Sequence, residues 1–143
     1  MGEEYKKPSI TTDVFIYNEL DEFILIKRKN EPFKDCWALP GGFVDYGETV
    51  EDAAVREAME ETIVSIKLGK LIGVYSDPKR DSRGHTITIA YTATGKLANA
   101  KANDDAKEIM IAKFSDIDSM DLAFDHKQIV KDALKLIWLI LKI

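Results

Sequence analysis

The sequence predicts an α+β fold, an α/β/α sandwich in which a mixed sheet lies between helices. Residues 86–93 alternate apolar and polar side chains, which is the period of a strand. Residues 49–62 and the segment from 125 onward carry apolar residues at helical spacing. With 143 residues, the chain is expected to form a single domain over 1–143.

The composition of the chain limits the classes of function that the protein can have. The chain is 45% hydrophobic and 31% charged, and its net charge is -5, which argues against a nucleic-acid or anionic-membrane binder. A polyanionic substrate must therefore be met by local basic residues or by a metal. The single cysteine, Cys36, excludes an internal disulfide, and no apolar run reaches the length of a membrane span. We expect a cytoplasmic protein with no nucleic-acid or membrane partner.

The first two strands form a predicted hairpin. Residues 10–17 and 23–27 are rich in apolar and β-branched residues, and residues 18–22 between them are typical of a turn. Arg28 follows the second strand. It is a candidate for binding a substrate phosphate or ribose, and the alternative is an ordinary charged strand end.

The central helix follows a glycine-rich stretch. Gly41 and Gly42 allow close approach of the backbone, and a main-chain carbonyl there can bind a metal ion. Thr49 is placed to cap the helix, with Asp52 three residues later. The uninterrupted run of good helix formers predicts that the helix extends to Thr62.

The acidic residues of this helix lie on an unexpected face. At about 100° per residue, Glu57 and Glu61 fall within roughly 40° of the apolar stripe on which Val50 lies, and Glu60 lies beside them. Like charges at this spacing repel each other, more so when desolvated, and Arg56 supplies only one positive charge. A divalent cation such as Mg²⁺, which takes oxygen ligands, would offset the rest. A solvated acidic helix is the alternative.

The glycine and charged positions of residues 42–64 form one pattern: Gly42, Glu48, Arg56, Glu57, Glu60 and Glu61. This pattern resembles the box of the Nudix family. One position departs, because Ile63 stands where the family usually has a glycine that ends the helix in a left-handed conformation. Isoleucine adopts that conformation poorly, so we expect the helix to end differently here.

The Nudix resemblance implies specific roles for these residues. Glu57 and Glu61 would be the principal ligands of Mg²⁺, with Mn²⁺ as a substitute, and Glu60 would be a third ligand or the base. Arg56 would orient the glutamates through an ion pair with Glu48, and Gly42 would be structural.

Two positions outside the box complete the implied ligand set. The carbonyl of Gly41 would be a further metal ligand. Glu108, which stands just before the predicted strand 109–114, would bind another ion or act as the base. Asp105 is a weaker candidate for a direct role.

The loop at residues 76–85 favours one substrate. It concentrates basic residues, among them Arg80 and Arg83, which could hold phosphate or ribose, whereas a solvated loop is the alternative. With Pro78, the loop resembles the ADP-ribose pyrophosphatase branch of the Nudix family. The resemblance implies hydrolysis of ADP-ribose to AMP and ribose 5-phosphate. A nucleoside triphosphate or dinucleoside polyphosphate substrate, or a non-catalytic nucleotide sensor, remains open.

The C-terminal segment predicts a helix that begins near Asp125. Its last turns, residues 136–141, are apolar nearly all round, so part of this surface should be exposed after the helix packs on the sheet. We therefore expect a homodimer contact there. The alternative is a fully buried helix.

Overall fold

The computed structural model describes residues 5–103 and 106–141, which leaves Asp105 and the ends of the predicted domain outside it. The strands are β1 (Ser9–Tyr17), β2 (Glu22–Arg28), β3 (Trp37–Ala38), β4 (Gly41–Phe43), β5 (Lys67–Tyr75), β6 (Thr86–Thr94) and β7 (Ala106–Lys113). The helices are α1 (Val50–Thr62) and α2 (His126–Leu141), and short 3-10 turns cover Leu97–Asn99 and Phe114–Ser119.

The seven strands form one mixed sheet. Its main path has the order β3-β2-β1-β6-β5, with β4 paired to β1 and β7 paired to β2. β1 runs parallel to β6 from Ser9 opposite Thr86 to Tyr17 opposite Thr94, and the other pairs are antiparallel. The predicted hairpin between β1 and β2 is confirmed.

Helices cover both faces of this sheet. Because side chains alternate along a strand, β1 sends Val14 and Ile16 toward α1, where they pack with Ala54 and Ala58. Phe15 points the other way and packs with the buried residues of α2: Ile129, Val130, Ala133 and Ile137. The predicted α/β/α sandwich is confirmed, and the inner face of α1 carries small residues where the predicted stripe lies.

The start of α1 and its last residue, Thr62, were predicted correctly, but the expectation that the helix would end without a left-handed residue at position 63 was wrong. Thr49 Oγ1 accepts a hydrogen bond from the Asp52 amide at 3.0 Å. Ile63 adopts the left-handed conformation, with φ 62°, and its amide donates to the Met59 carbonyl at 3.0 Å. The last carbonyls of the helix are also paired, because residues 101 and 103 donate to the main chain of residues 60–62. These contacts impose the backbone conformation that isoleucine disfavours.

The start of α2 is tied to the loop between β5 and β6. The Asp125 carboxylate accepts two hydrogen bonds from the Arg80 guanidinium, at 2.8 and 2.5 Å, while its carbonyl receives the amides of Gln128 and Ile129. At the other end of α2, Trp138, Leu139, Ile140 and Leu141 are exposed. No helix in the described part of the chain is long and apolar enough to cross a membrane.

Candidate active site

A cavity of about 290 Å³ opens beside the inner face of α1. Its walls come from α1, β1, β4, the end of β2, the loop between β5 and β6, and the start of α2. It brings together predicted site residues from four parts of the sequence: Arg28, Gly41, Gly42, Glu57, Glu61, Arg80 and Arg83.

The two inward glutamates of α1 are held against the glycines of β4. A Cβ atom on Gly42 would lie 2.5 Å from the Glu57 carboxyl carbon, so any other residue at this position would displace the carboxylate from where it lies. The Gly41 amide donates to Glu61 Oε1 at 2.7 Å, and Glu61 is buried. The sequence prediction that these carboxylates face the protein body is confirmed.

Arg56 is the hub of an ion-pair network at the edge of the cavity. Its guanidinium donates to both oxygens of Glu48, at 2.7 and 2.9 Å, and to Glu57 and Glu60 at 2.9 and 3.2 Å. These bonds to Arg56, together with the Asp45 amide, lower the pKa of Glu48 to about 2. The acceptors raise the pKa of Arg56 in turn. The predicted pairing of Arg56 with Glu48 is therefore present.

Two other predicted residues lie outside the set that lines the cavity. Glu60 is not among the residues that line the cavity, and its carboxylate accepts a hydrogen bond from Arg56 at 3.2 Å. Glu108 lies on β7 opposite Lys27, with its carboxylate 3.6 Å from the Lys27 ammonium and more than half exposed. The position of β7 relative to the cavity could not be predicted from the sequence.

The cavity offers oxygen donors that suit Mg²⁺. Within residues 5–103 and 106–141, no three acidic, histidine or cysteine side chains converge as a ready-made metal cluster. Mg²⁺, however, is usually bound by one or two carboxylates together with waters and substrate phosphates. Glu57 and Glu61, with the space that glycine leaves at position 42, fit that kind of site.

Two arginines, Arg28 and Arg83, line the same cavity as the glutamates. A register shift in β2 separates Lys27, which lies over Trp37, from Arg28, whose guanidinium lies 5.0 Å from the centre of the Phe124 ring. Arg83 lies 5.9 Å from the same ring. Burial, followed by repulsion from Arg83, lowers the pKa of Arg28. Two like charges that approach one aromatic ring create a site where an anion would be stabilised.

The loop arginines differ in how firmly they are held. Arg80 is buried and bound by both oxygens of Asp125, so it anchors the loop to α2 while still lining the cavity. Arg83 is more exposed and pairs with the buried Asp81 at 2.7 Å. Burial raises the pKa of Asp81, but the hydrogen bonds and charge of Arg83 outweigh it and leave that pKa below its usual range.

The cavity residues that were missed from the sequence include Asp13, Phe124 and His126. A signal existed for Asp13, because a lone carboxylate inside an apolar strand is unusual. His126 Nδ1 accepts the Leu39 amide across 87 positions of sequence, and no local pattern could reveal that contact. Phe124 has a φ of 53°, which only the folded backbone shows.

Fold and cavity together define a class of protein, an α+β sandwich with a cavity lined by carboxylates and arginines. The chain belongs to the Nudix family, since the family's profile, described as the NUDIX domain, matches residues 7–135.

Three known proteins show the range of relatives. The chain is 49% identical over 132 residues to an ADP-ribose pyrophosphatase of Methanocaldococcus jannaschii, covering 92% of this chain and 76% of that protein. The Nudix domain of Shewanella oneidensis NrtR, solved with ADP-ribose, superposes with a TM-score of 0.81 at 29% identity, covering 93% and 90% of the two chains. A bifunctional NMN adenylyltransferase/ADP ribose pyrophosphatase of Francisella tularensis, solved with AMP and a manganese ion, has a TM-score of 0.83 at 29% identity, covering 93% of this chain and 43% of that chain.

Proposed function

We propose that this protein hydrolyses ADP-ribose to AMP and ribose 5-phosphate with Mg²⁺ as cofactor. The observation that carries the proposal is that Glu57 and Glu61 line one cavity together with Arg28 and Arg83. The similarity to the Methanocaldococcus jannaschii enzyme supports the choice of ADP-ribose.

The reaction adds water across the diphosphate. A hydroxyl group from water joins one phosphorus, the bridging oxygen leaves with the other phosphate, and a proton is released. A bound Mg²⁺ would supply charge neutralisation at the phosphate oxygens and a more acidic water. Glu57, Glu61 and the Gly41 carbonyl would hold it, and the Arg56 network would keep the Glu57 carboxylate in place.

The cationic wall would receive the remainder of the diphosphate. Arg83 and Arg28 carry guanidinium groups that can bind phosphate or ribose oxygens, and Arg80 would keep the loop in position. The phenylalanines that line the cavity are Phe43 and Phe124, and either ring could stack on adenine.

The group that takes the proton from water remains a choice between Glu60 and Glu108. Both lie outside the residues that line the cavity, so either one would need to move when substrate binds. Loss of a general base lowers turnover by about 10²–10⁴-fold. Glu60→Gln and Glu108→Gln should therefore differ by at least about 100-fold in turnover. The variant with the lower turnover identifies the base if it keeps the Mn²⁺ affinity of the wild type, and a lowered Mn²⁺ affinity identifies a metal ligand instead.

The decisive experiment compares substrates and variants under one set of conditions. ADP-ribose, nucleoside triphosphates and diadenosine polyphosphates are incubated with Mg²⁺ in ¹⁸O-labelled water, and products are read by mass. We expect AMP and ribose 5-phosphate from ADP-ribose at the highest kcat/KM, with the label reporting which phosphorus is attacked. Preferred cleavage of a triphosphate would refute the substrate, and ADP-ribose binding without cleavage would indicate a sensor.

Glu61→Gln tests the metal ligands. Its loss of turnover should exceed the roughly 10–100-fold that removal of an outer partner of a metal ligand costs. Glu51→Gln, on the exposed first turn of the same helix, is the matched control and should keep wild-type turnover. Near-wild-type turnover of Glu61→Gln would contradict the ligand assignment.

The C-terminal helix supports a proposal about assembly. Trp138, Leu139 and Leu141 are each more than half exposed, and burying them against a second copy would give a homodimer. Sedimentation of the wild type and of Leu139→Glu should give dimer and monomer respectively. We also propose a cytoplasmic location, since a single cysteine permits no internal disulfide.

A further inference from the structure

A buried histidine is among the residues that line the cavity of the proposed metal site. His126 is the first residue of α2, it is 4% exposed, and both of its ring nitrogens have partners. The Leu39 amide donates to Nδ1 at 3.0 Å, and Nε2 lies 3.2 Å from Asp13 Oδ2.

These two contacts define the tautomer of the ring. A nitrogen that accepts an amide hydrogen bond carries no proton, so Nδ1 of His126 is bare and the proton is on Nε2. Nε2 then donates to the Asp13 carboxylate. Asp13 is buried, and its other oxygen packs against Gly41, where a Cβ atom would lie only 2.5 Å from it.

The contact between Leu39 and His126 is one of three hydrogen bonds that hold residues 39–41, where β4 begins at Gly41. The Leu39 amide donates to His126, the Pro40 carbonyl accepts from the Val14 amide at 2.9 Å, and the Gly41 amide donates to Glu61 at 2.7 Å. Pro40, which lies between Leu39 and Gly41, has no amide hydrogen to donate. A shift of the Leu39 amide would therefore move Gly41 and, through it, the carboxylate of Glu61.

From this geometry we infer that His126 is a positioning residue for the metal site. Its Nδ1 holds the segment 39–41 so that Glu61 and the Gly41 carbonyl face the cavity together. This inference rests on the proposed function, because the site that His126 positions is the one where Glu61 would bind the cation. Outer partners of metal ligands typically contribute about 10–100-fold in metal affinity.

Two substitutions separate the contacts of the ring. In His126→Asn, the amide oxygen overlies Nδ1 and can still accept from Leu39. In His126→Gln, the amide overlies Nε2 and can still donate to Asp13, but the Leu39 amide loses its acceptor. The two variants are polar and of similar size, so each is the control for the other.

The readouts are Mn²⁺ affinity by electron paramagnetic resonance without substrate, and Mg²⁺ activation of turnover. We expect His126→Asn to stay within about 3-fold of wild type and His126→Gln to bind Mn²⁺ about 10-fold more weakly. Turnover of His126→Gln should recover at high Mg²⁺, since the cation site is weakened and not removed. Wild-type Mn²⁺ affinity in a folded His126→Gln, or a greater loss in His126→Asn, would overturn the inference.

The wild-type protein gives an independent measurement if a variant fails to fold. Nitrogen NMR of the ring should show a bare Nδ1 and a protonated Nε2, and the Leu39 amide should exchange slowly with solvent. A protonated Nδ1 would overturn the role. Because Mn²⁺ binding needs no nucleotide, a protein that binds Mn²⁺ with this dependence on His126 but leaves ADP-ribose intact would refute only the proposed function. Absence of Mn²⁺ binding by the wild type both without nucleotide and with ADP-ribose present would refute both.

Discussion

The left-handed residue at the end of α1 permits a quantitative test of the helix terminus. Ile63 has a φ of 62° and a half-exposed side chain. This backbone conformation costs a residue with a Cβ atom about 1–2 kcal/mol, whereas glycine pays almost none of it. Glycine instead lowers the free energy of unfolding by about 0.4–1 kcal/mol, because it gives the unfolded chain more conformational freedom. Ile63→Gly and Ile63→Ala both lack the isoleucine side chain, so its packing does not contribute to the difference between their free energies of unfolding.

The expected result is that Ile63→Gly is more stable than Ile63→Ala by about 0.8 kcal/mol, the difference between the midpoints of those two terms. At Val55, a similarly exposed position inside the same helix, the order should reverse, and glycine should be less stable than alanine by about 1 kcal/mol. The measurement is urea unfolding in the presence of EDTA, so that metal binding does not contribute to the free energy of unfolding. Glycine less stable than alanine at both positions would refute the left-handed assignment.

Four further outcomes are expected. Glu48→Gln should lower the melting temperature at pH 7. Folding depresses the pKa of Glu48 from 4.5 to about 2, so the stability that this carboxylate contributes is present above pH 4.5 and is lost as the pH falls toward 2. The melting temperatures of the wild type and the variant should therefore converge near pH 2. Thr49→Ala should cost about 1 kcal/mol of unfolding free energy, because it removes the helix cap. Tyr75→Phe should cost about 1 kcal/mol in urea titrations, because the Tyr75 hydroxyl donates to Asp132 at 2.6 Å; an unchanged midpoint would contradict this. EDTA should abolish turnover, and Mg²⁺ or Mn²⁺ should restore it; activity that survives EDTA would contradict the metal dependence.

The elements that could be predicted are those whose evidence lies within a few residues. The alternation of residues 86–93 and the helical spacing after Thr49 gave β6 and α1 within about one residue of their ends. The inward direction of Glu57 and Glu61 followed from rotation along α1, and burial confirms it. A pattern with a period of 2 or 3.6 residues constrains local geometry because every member sits on the same element.

Predictions that required another element were less complete. The basic loop was recognised, yet its two arginines differ, because Arg80 is buried on Asp125 while Arg83 remains more exposed beside Phe124. Glu108 was placed near the box by resemblance, but β7 presents it to Lys27. The conformation of Ile63 after α1 was predicted wrongly, since residues 101 and 103 supply hydrogen bonds that no local rule includes.

The sequence by itself determined the sandwich, the capped acidic helix and the carboxylate pair that faces inward, because periodicity, capping and charge act between neighbours on one element. Only the tertiary structure decided that the Leu39 amide meets His126, that Asp13 lies between that ring and Gly41, and that an isoleucine ends α1 with a positive φ. These contacts join residues far apart in the chain, and their partners come together only when helices pack on both faces of the sheet.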